Sequence, residues 1–223
     1  MIRYFGQAQY SPTRILNGYE LLLRQCSGGT WQFPRDFRQH GAAEMQQLAA
    51  ATIAVLEPAA RVVSINLDQD QFVMPEFVCM FTQLVHDFPK REIVVELTER
   101  DCSVPMAELR QAAAAYAGSG AYVCMDDVGS GANSPQMADA LDDYVSEYKF
   151  AMQNFNERDG SISNLMPQIA AWAQRAKQFQ KEFVVEGIET ERNLKIVEQF
   201  TPNIIQGFLF AKPALIPVQQ DIF

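Results

Sequence analysis

Glu20, Asn66, Glu96, the pair Asp126-Asp127, Lys149 and Glu186 recur along the chain at the ends of short apolar runs that read as strands. Their types define a chemistry. Carboxylate and amide oxygens are hard donors and suit Mg²⁺ or Mn²⁺. Two such ions held side by side can drive in-line attack of water on a phosphate ester. The sequence has no Cys/His metal set and no serine or cysteine nucleophile with a histidine partner.

These residues need a scaffold, and the rest of the chain supplies its outline. With 223 residues, 48% of them apolar, the chain can bury a well-packed core and is not a disordered segment. Its net charge of −9 repels a nucleic-acid backbone or an anionic membrane, so neither DNA nor RNA nor a membrane is an expected partner. Cys26, Cys79, Cys102 and Cys124 are scattered with no CxxC pair, as expected of free thiols in a reducing compartment. His40 and His86 lie far apart in helical surroundings and read as surface or packing residues. No apolar run is long enough to cross a bilayer, and the start of the chain lacks the apolar core of a secretion signal. A cytoplasmic location is expected.

Strand-like runs alternate with helical ones. Residues 2–9 and 15–23 read as two strands joined by a turn at Ser11-Pro12-Thr13, a connection too short for a parallel crossover. Further strands are expected at 61–67, 92–97, 121–125, 144–150, 182–186 and 203–206. Helices are expected at 42–57, 75–88, 105–117, 135–142, 162–181 and 190–200. Eight strands in such alternation predict a single α/β domain over residues 1–223, a TIM-like (β/α)8 barrel with an antiparallel strand at its start. Reactive groups of such barrels gather at the C-terminal strand ends. Asn66, Glu96, Asp126, Lys149, Glu186 and Gln206 all fall there.

Each position alone has an ordinary structural reading. Glu20 could be an ion-paired strand residue, and Asn66 a turn former. Asp126-Asp127 before a glycine could be a turn or cap, and Thr190 a helix cap. Lys149 and Arg24 could form plain salt bridges. The weight lies in the set and its order.

Asn-Gly-Tyr-Glu-Leu-Leu-Leu-Arg at 17–24 resembles the signature of the EAL-domain family, bacterial cyclic-di-GMP phosphodiesterases; the naming triplet is here Glu20-Leu21-Leu22. The resemblance continues in order. Ser64-Ile65-Asn66-Leu67 is similar to the family's asparagine strand, and Glu96-Leu97-Thr98-Glu99 to its ExTE motif. Asp126-Asp127-Val128-Gly129-Ser130-Gly131 is similar to its DDFGTG loop, and Tyr148-Lys149-Phe150 to its lysine strand. Val185 to Thr190 is similar to EGVET, and Gln206 to Phe210 to its final QG motif.

The resemblance implies a role for each residue. Glu20, Asn66, Glu96, Asp126, Asp127 and Glu186 would hold two divalent cations, Mg²⁺ or Mn²⁺, with Asp126 bridging them. Lys149, Glu186 and Glu189 would form the catalytic set, Lys149 positioning the attacking water. Arg24 and Gln206 would serve substrate binding, and Glu189 and Gln206 would also support the metal–water network. Glu99, Gly129, Ser130, Gly131 and Ser134 would couple the site to the contacts of a homodimer. The implied activity is hydrolysis of cyclic di-GMP to linear pGpG.

The sequence also departs from the family's pattern. Leu21 replaces the alanine of the triplet, Val128 the loop phenylalanine and Ser130 the loop threonine; Ala132 replaces a bulkier residue. After the lysine the family reads Lys-Ile-Asp, whereas this chain reads Lys149-Phe150-Ala151. One lost hydrogen bond to a base is worth about 1–3 kcal/mol. Two alternatives follow: a non-catalytic cyclic-di-GMP receptor or protein-interaction regulator, or a phosphodiesterase for the linear dinucleotide or another nucleotide.

Overall fold

The computed structural model describes residues 1–34, 36–156 and 162–218. The chain begins with β1 (Ile2–Tyr10) and β2 (Leu16–Ser27), paired antiparallel over nearly their whole length. Five strands then follow parallel to β2: β4 (Val62–Leu67), β5 (Glu92–Leu97), β6 (Tyr122–Met125), β7 (Glu147–Ala151) and β8 (Glu182–Glu186). β9 (Ile204–Ile205) continues the parallel series and meets β1 antiparallel at Tyr10. Those eight strands form a closed ring, the predicted barrel with its antiparallel first strand.

Helices cover the outside. α1 (Ala42–Val55), α3 (Pro75–Asp87) and α4 (Met106–Gly118) bury residues three or four apart. In α3 these are Phe77, Met80, Phe81 and Leu84, one face of a helix. Tyr116 of α4 packs between Phe72 and Phe81, and its hydroxyl donates to the Phe72 carbonyl at 3.1 Å. The short α2 (Gln69–Phe72) follows β4, and α5 (Pro135–Leu141) is capped by Ser134, whose oxygen accepts from the Met137 N–H. After β7 come α6 (Gln153–Asn156) and α7 (Ile162–Gln178). α8 (Glu191–Val197) opens with a capping box between Thr190 and Asn193. Among the described residues no helix is long and apolar enough to cross a membrane.

Alternation along β7 decides which side chains face the barrel interior. All five of its residues are buried. Tyr148 points out to Trp172 of α7, with ring centroids 5.3 Å apart, so Lys149 points in. Below it, Val62, Val94 and Cys124 form a small apolar group of their own. Gly18 lets β2 and β4 meet there, since a Cβ would lie 2.0 Å from the Val62 carbonyl oxygen.

The elements differ from the sequence reading in several places. The strand expected from 144 begins at Glu147, because the Tyr144 and Val145 N–H groups still bond to the Leu141 carbonyl at the end of α5. The last helix gives way to a 3₁₀ turn at Glu198–Phe200. Two short strands were not anticipated: β3 (Thr30–Gln32), paired with the outer half of β2, and β10 (Ala214–Leu215), paired with β1. Gly28 and Gly29, both with positive φ, make the two-residue turn joining β2 to β3. That hairpin carries β2 past the barrel wall and over its mouth.

Candidate metal centre

Lys149 is wholly buried, and its Nζ lies among four carboxylates: Glu96 at 2.7 Å, Glu20 at 3.1 Å, Glu186 at 3.3 Å and Asp126 at 3.5 Å. They come from different strands. Glu20 is in β2, Glu96 near the end of β5, Asp126 just past β6 and Glu186 at the end of β8. Parallel registry brings them level: Asn66 pairs with Glu96, and Ala151 with Glu186.

Amides fix the carboxylates in turn. Asn66 Nδ2 donates to Glu20 Oε1 at 2.7 Å, and Gln206 Nε2 to Glu20 Oε2 at 2.6 Å. Gln206 is buried with its amide N–H spent on Glu20, so it stands behind that carboxylate. Gln153 Nε2 donates to Glu186 Oε1 at 2.6 Å. Asn154 makes a side-chain hydrogen bond to Asp127.

A second grouping overlaps the first. Glu99, Asp126 and Asp127 each place a carboxylate oxygen within 4.8 Å of the others. Asp126 therefore belongs to both sets. Asp127 adopts a positive φ of 49°, which turns the chain immediately after the strand. Asn133 holds this corner: its buried Nδ2 donates to the Leu97 carbonyl at 2.8 Å and the Asp126 carbonyl at 2.5 Å.

The loop that follows is pinned to Glu99. Ala132 N–H bonds to the Glu99 carbonyl at 2.7 Å, and at Gly131 (φ +47°) a Cβ would lie 2.3 Å from that same oxygen. Gly129 N–H reaches the Asn133 carbonyl and Ser130 N–H the Asp127 carbonyl. The expected coupling segment, Glu99 with Gly129, Ser130, Gly131 and Ser134, is thus one connected unit running into α5. Val128, where an aromatic was expected, is wholly buried in the core.

Arg24 is half-buried at the mouth, where the Glu20 charge acts on it, and Glu189 is exposed at its rim. Asp68 was not anticipated. It lines the groove over the cluster and is held by Thr98 Oγ1 at 2.8 Å and by Arg100.

The electrostatics follow from burial and crowding. Burial, helped by Glu20 and opposed by Lys149, pushes Glu96 up to about 8. Burial and Glu186 raise Asp127 to about 6. Asp126 is well above the carboxylate range, from burial and its acidic neighbours Glu96, Asp127 and Glu186. Burial acts on Glu20 too, but Lys149, Asn66 and Gln206 outweigh it and hold its carboxyl below the ordinary value. Burial alone would pull Lys149 down; the carboxylates around it hold its ammonium well above the usual value. Among the described residues the cluster's acidic groups outnumber its one ammonium.

Its donor atoms fit cations. Among the described residues, buried oxygens of Glu96 (Oε1), Asp126 (Oδ1), Asp127 (Oδ1) and Gln206 (Oε1) accept no hydrogen bond. Acceptors without a hydrogen bond at such depth are costly unless a cation takes them. All are hard oxygens, the set that Mg²⁺, Mn²⁺ or Ca²⁺ prefers.

The sequence model described as "EAL domain" matches residues 37–213. The chain belongs to the EAL-domain family.

Solved EAL proteins share its fold. An EAL-domain protein from Listeria monocytogenes superposes with a TM-score of 0.78 at 21% identity, covering 96% of this chain and 88% of the other. The Bacillus subtilis YkuI protein, solved with substrate c-di-GMP and calcium, gives 0.77 at 16% identity, covering 99% of this EAL domain and 58% of YkuI. Klebsiella pneumoniae BlrP1, a calcium and cyclic-di-GMP complex, gives 0.80 at 18%, covering 97% of this chain and 57% of BlrP1. The chain thus spans little more than half of the last two proteins. No curated protein matches it in sequence.

Asn133, Gln153, Asn154 and Asp68 are site residues that the sequence reading missed. They are neutral or partnered residues, and nothing in the spacing of Asn133, Gln153 and Asn154 marks them. The Asp68–Thr98 pairing was open to inference, since both follow the ends of neighbouring strands.

Proposed function

We propose that this EAL domain hydrolyses cyclic di-GMP to linear pGpG with two divalent cations, Mg²⁺ or Mn²⁺. The observation that carries this reading is the convergence of Glu20, Glu96, Asp126 and Glu186 on Lys149, with buried oxygens of Glu96, Asp126 and Asp127 left without hydrogen bonds among the described residues. It is supported by family membership and by neighbours solved with the cyclic dinucleotide.

Glu20, Asn66, Glu96, Asp126, Asp127 and Glu186 would hold the cations, with Asp126 shared between them. Asn66 already donates through Nδ2, so its carbonyl oxygen is the atom it can offer. Glu99 joins this set as a further carboxylate beside Asp126 and Asp127. Two cations supply neutralisation of the phosphodiester charge and activation of a water at neutral pH. Lys149 holds the carboxylates together and presents its ammonium to the attacking water. Arg24 meets a substrate phosphate at the mouth, where its charge offsets the acidity of the protein as a whole. Glu189 and Gln206 serve this arrangement from the rim and from behind Glu20.

The test is product formation from cyclic di-GMP by the purified protein with Mg²⁺ or Mn²⁺, followed by chromatography. A protein that binds both metal and cyclic dinucleotide yet yields no pGpG would be a receptor. Ala151 favours that second reading, since the strand end there carries no carboxylate.

A further inference from the structure

The carboxylate cluster opens into a groove with two lobes. The inner lobe, about 270 Å³, lies over Glu20 and Asp126; the outer, about 310 Å³, is bounded by Gly207 and Phe208. Arg24 and Phe33 line both and stand on the wall common to them.

Phe33 is unusual for a large apolar side chain. It is 61% exposed, and it takes no part in the hydrophobic core, unlike nearby Phe37. It follows β3 at the end of the hairpin that carries β2 past the barrel wall. The Arg24 guanidinium lies over its ring, 3.8 Å from the centroid. Such stacking covers one face of the ring, and most of the side chain stays open. An aromatic ring lining a groove, with a cation stacked on it, suits a planar group joined to an anion. A base next to a phosphate has that form.

We propose that Phe33 is a platform for one base of the cyclic dinucleotide, with Arg24, stacked on the ring's other face, meeting the adjoining phosphate. This rests on the function proposed above. Phe33 is then a binding and specificity residue remote from the cations, supplied by the hairpin rather than by the barrel strands.

The experiment compares the wild type with Phe33→Ala, Phe33→Leu and Phe33→Tyr. Three quantities are measured on each: Mn²⁺ affinity with the metal alone, thermal midpoint, and calorimetric Kd for cyclic di-GMP in Ca²⁺. Base–aromatic stacking predicts that Phe33→Ala weakens the dinucleotide roughly 5- to 150-fold. Phe33→Leu should fall with it, and Phe33→Tyr should restore binding. Mn²⁺ affinity and midpoint should not move in any of them. Wild-type dinucleotide affinity in Phe33→Ala or Phe33→Leu overturns the platform. So does a loss accompanied by weakened Mn²⁺ binding or early melting, because the ring would then be acting through the fold. A wild-type protein that binds Mn²⁺ but not cyclic di-GMP instead defeats the underlying functional reading, and the platform falls with it.

Discussion

Lys149 Nζ lies 2.7 Å from Glu96 Oε2, and neither side chain has any exposure. A buried ion pair is a poor source of net stability, but removing one partner strands the other. Here the stranded group would be a whole set of acids. Lys149→Ala should therefore lower the stability of the cation-free protein by about 3–5 kcal/mol. Saturating Mn²⁺ should recover most of it, while turnover stays lost. Denaturant unfolding with and without Mn²⁺ measures the first, and pGpG formation the second. Equal destabilisation in both conditions would show that the carboxylates do not hold the metal.

The raised carboxyls fix the sign of the pH dependence. Folding lifts Glu96 from 4.5 to about 8, Asp127 from 3.8 to about 6 and Glu147 from 4.5 to about 7. Between those limits the folded state binds more protons than the unfolded one, so stability falls as pH rises. Cation-free protein should lose stability as pH rises from 3.8 to about 8. Cations require the ionised ligands, so Mn²⁺ affinity should climb over the same interval. Thermal melts across pH, with chelator or with Mn²⁺, check both trends. A flat chelator profile would contradict the burial argument.

Gly131 fills a space no other residue fits, with a positive φ and the Glu99 carbonyl against it. Gly131→Ala should push the loop off Glu99, costing about 1–3 kcal/mol in strain. Mn²⁺ affinity should weaken as Glu99 and Asp127 separate. Undisturbed affinity in a stably folded variant would sever the loop from the metal centre.

Ala151 faces the barrel interior in register with Glu186. Ala151→Asp would return an acid to the position where the family carries one. Binding of cyclic di-GMP is expected to tighten about tenfold or more, the worth of one good hydrogen bond. The cation-free protein should lose stability, since the new carboxylate joins an acidic cluster. Calorimetry on both proteins decides; an unchanged Kd removes this account of the departure.

Much of this was legible in the sequence, for reasons that can be named. The β-branched runs at 62–65 and 93–95 announce strands covered on both faces, and the four- and three-residue spacing of Phe77, Phe81 and Leu84 announces α3. Polar residues closing each run placed the cluster at one end of the barrel. β3 and β10 were not seen, because two or three residues carry too little pattern, although Gly28-Gly29 held the turn signal in plain view. The strand start at Glu147 was misjudged because Tyr144 and Val145 look like strand residues, and only the carbonyl of Leu141 keeps them in a turn. Gln153 and Asn154 stayed hidden for another reason. Their value lies in what they orient, which is a relation in space and leaves no mark on spacing.

Glu20 and Gln206, hydrogen-bonded at 2.6 Å, stand 186 positions apart along the chain. A ribosome makes the first long before the last. Until β9 arrives and β1 meets it, the ring is open and Glu20 lacks one of its two amide supports. If the proposed function holds, ion capture and chemistry would come late in synthesis, so a truncated or unfinished chain would be silent rather than half-active.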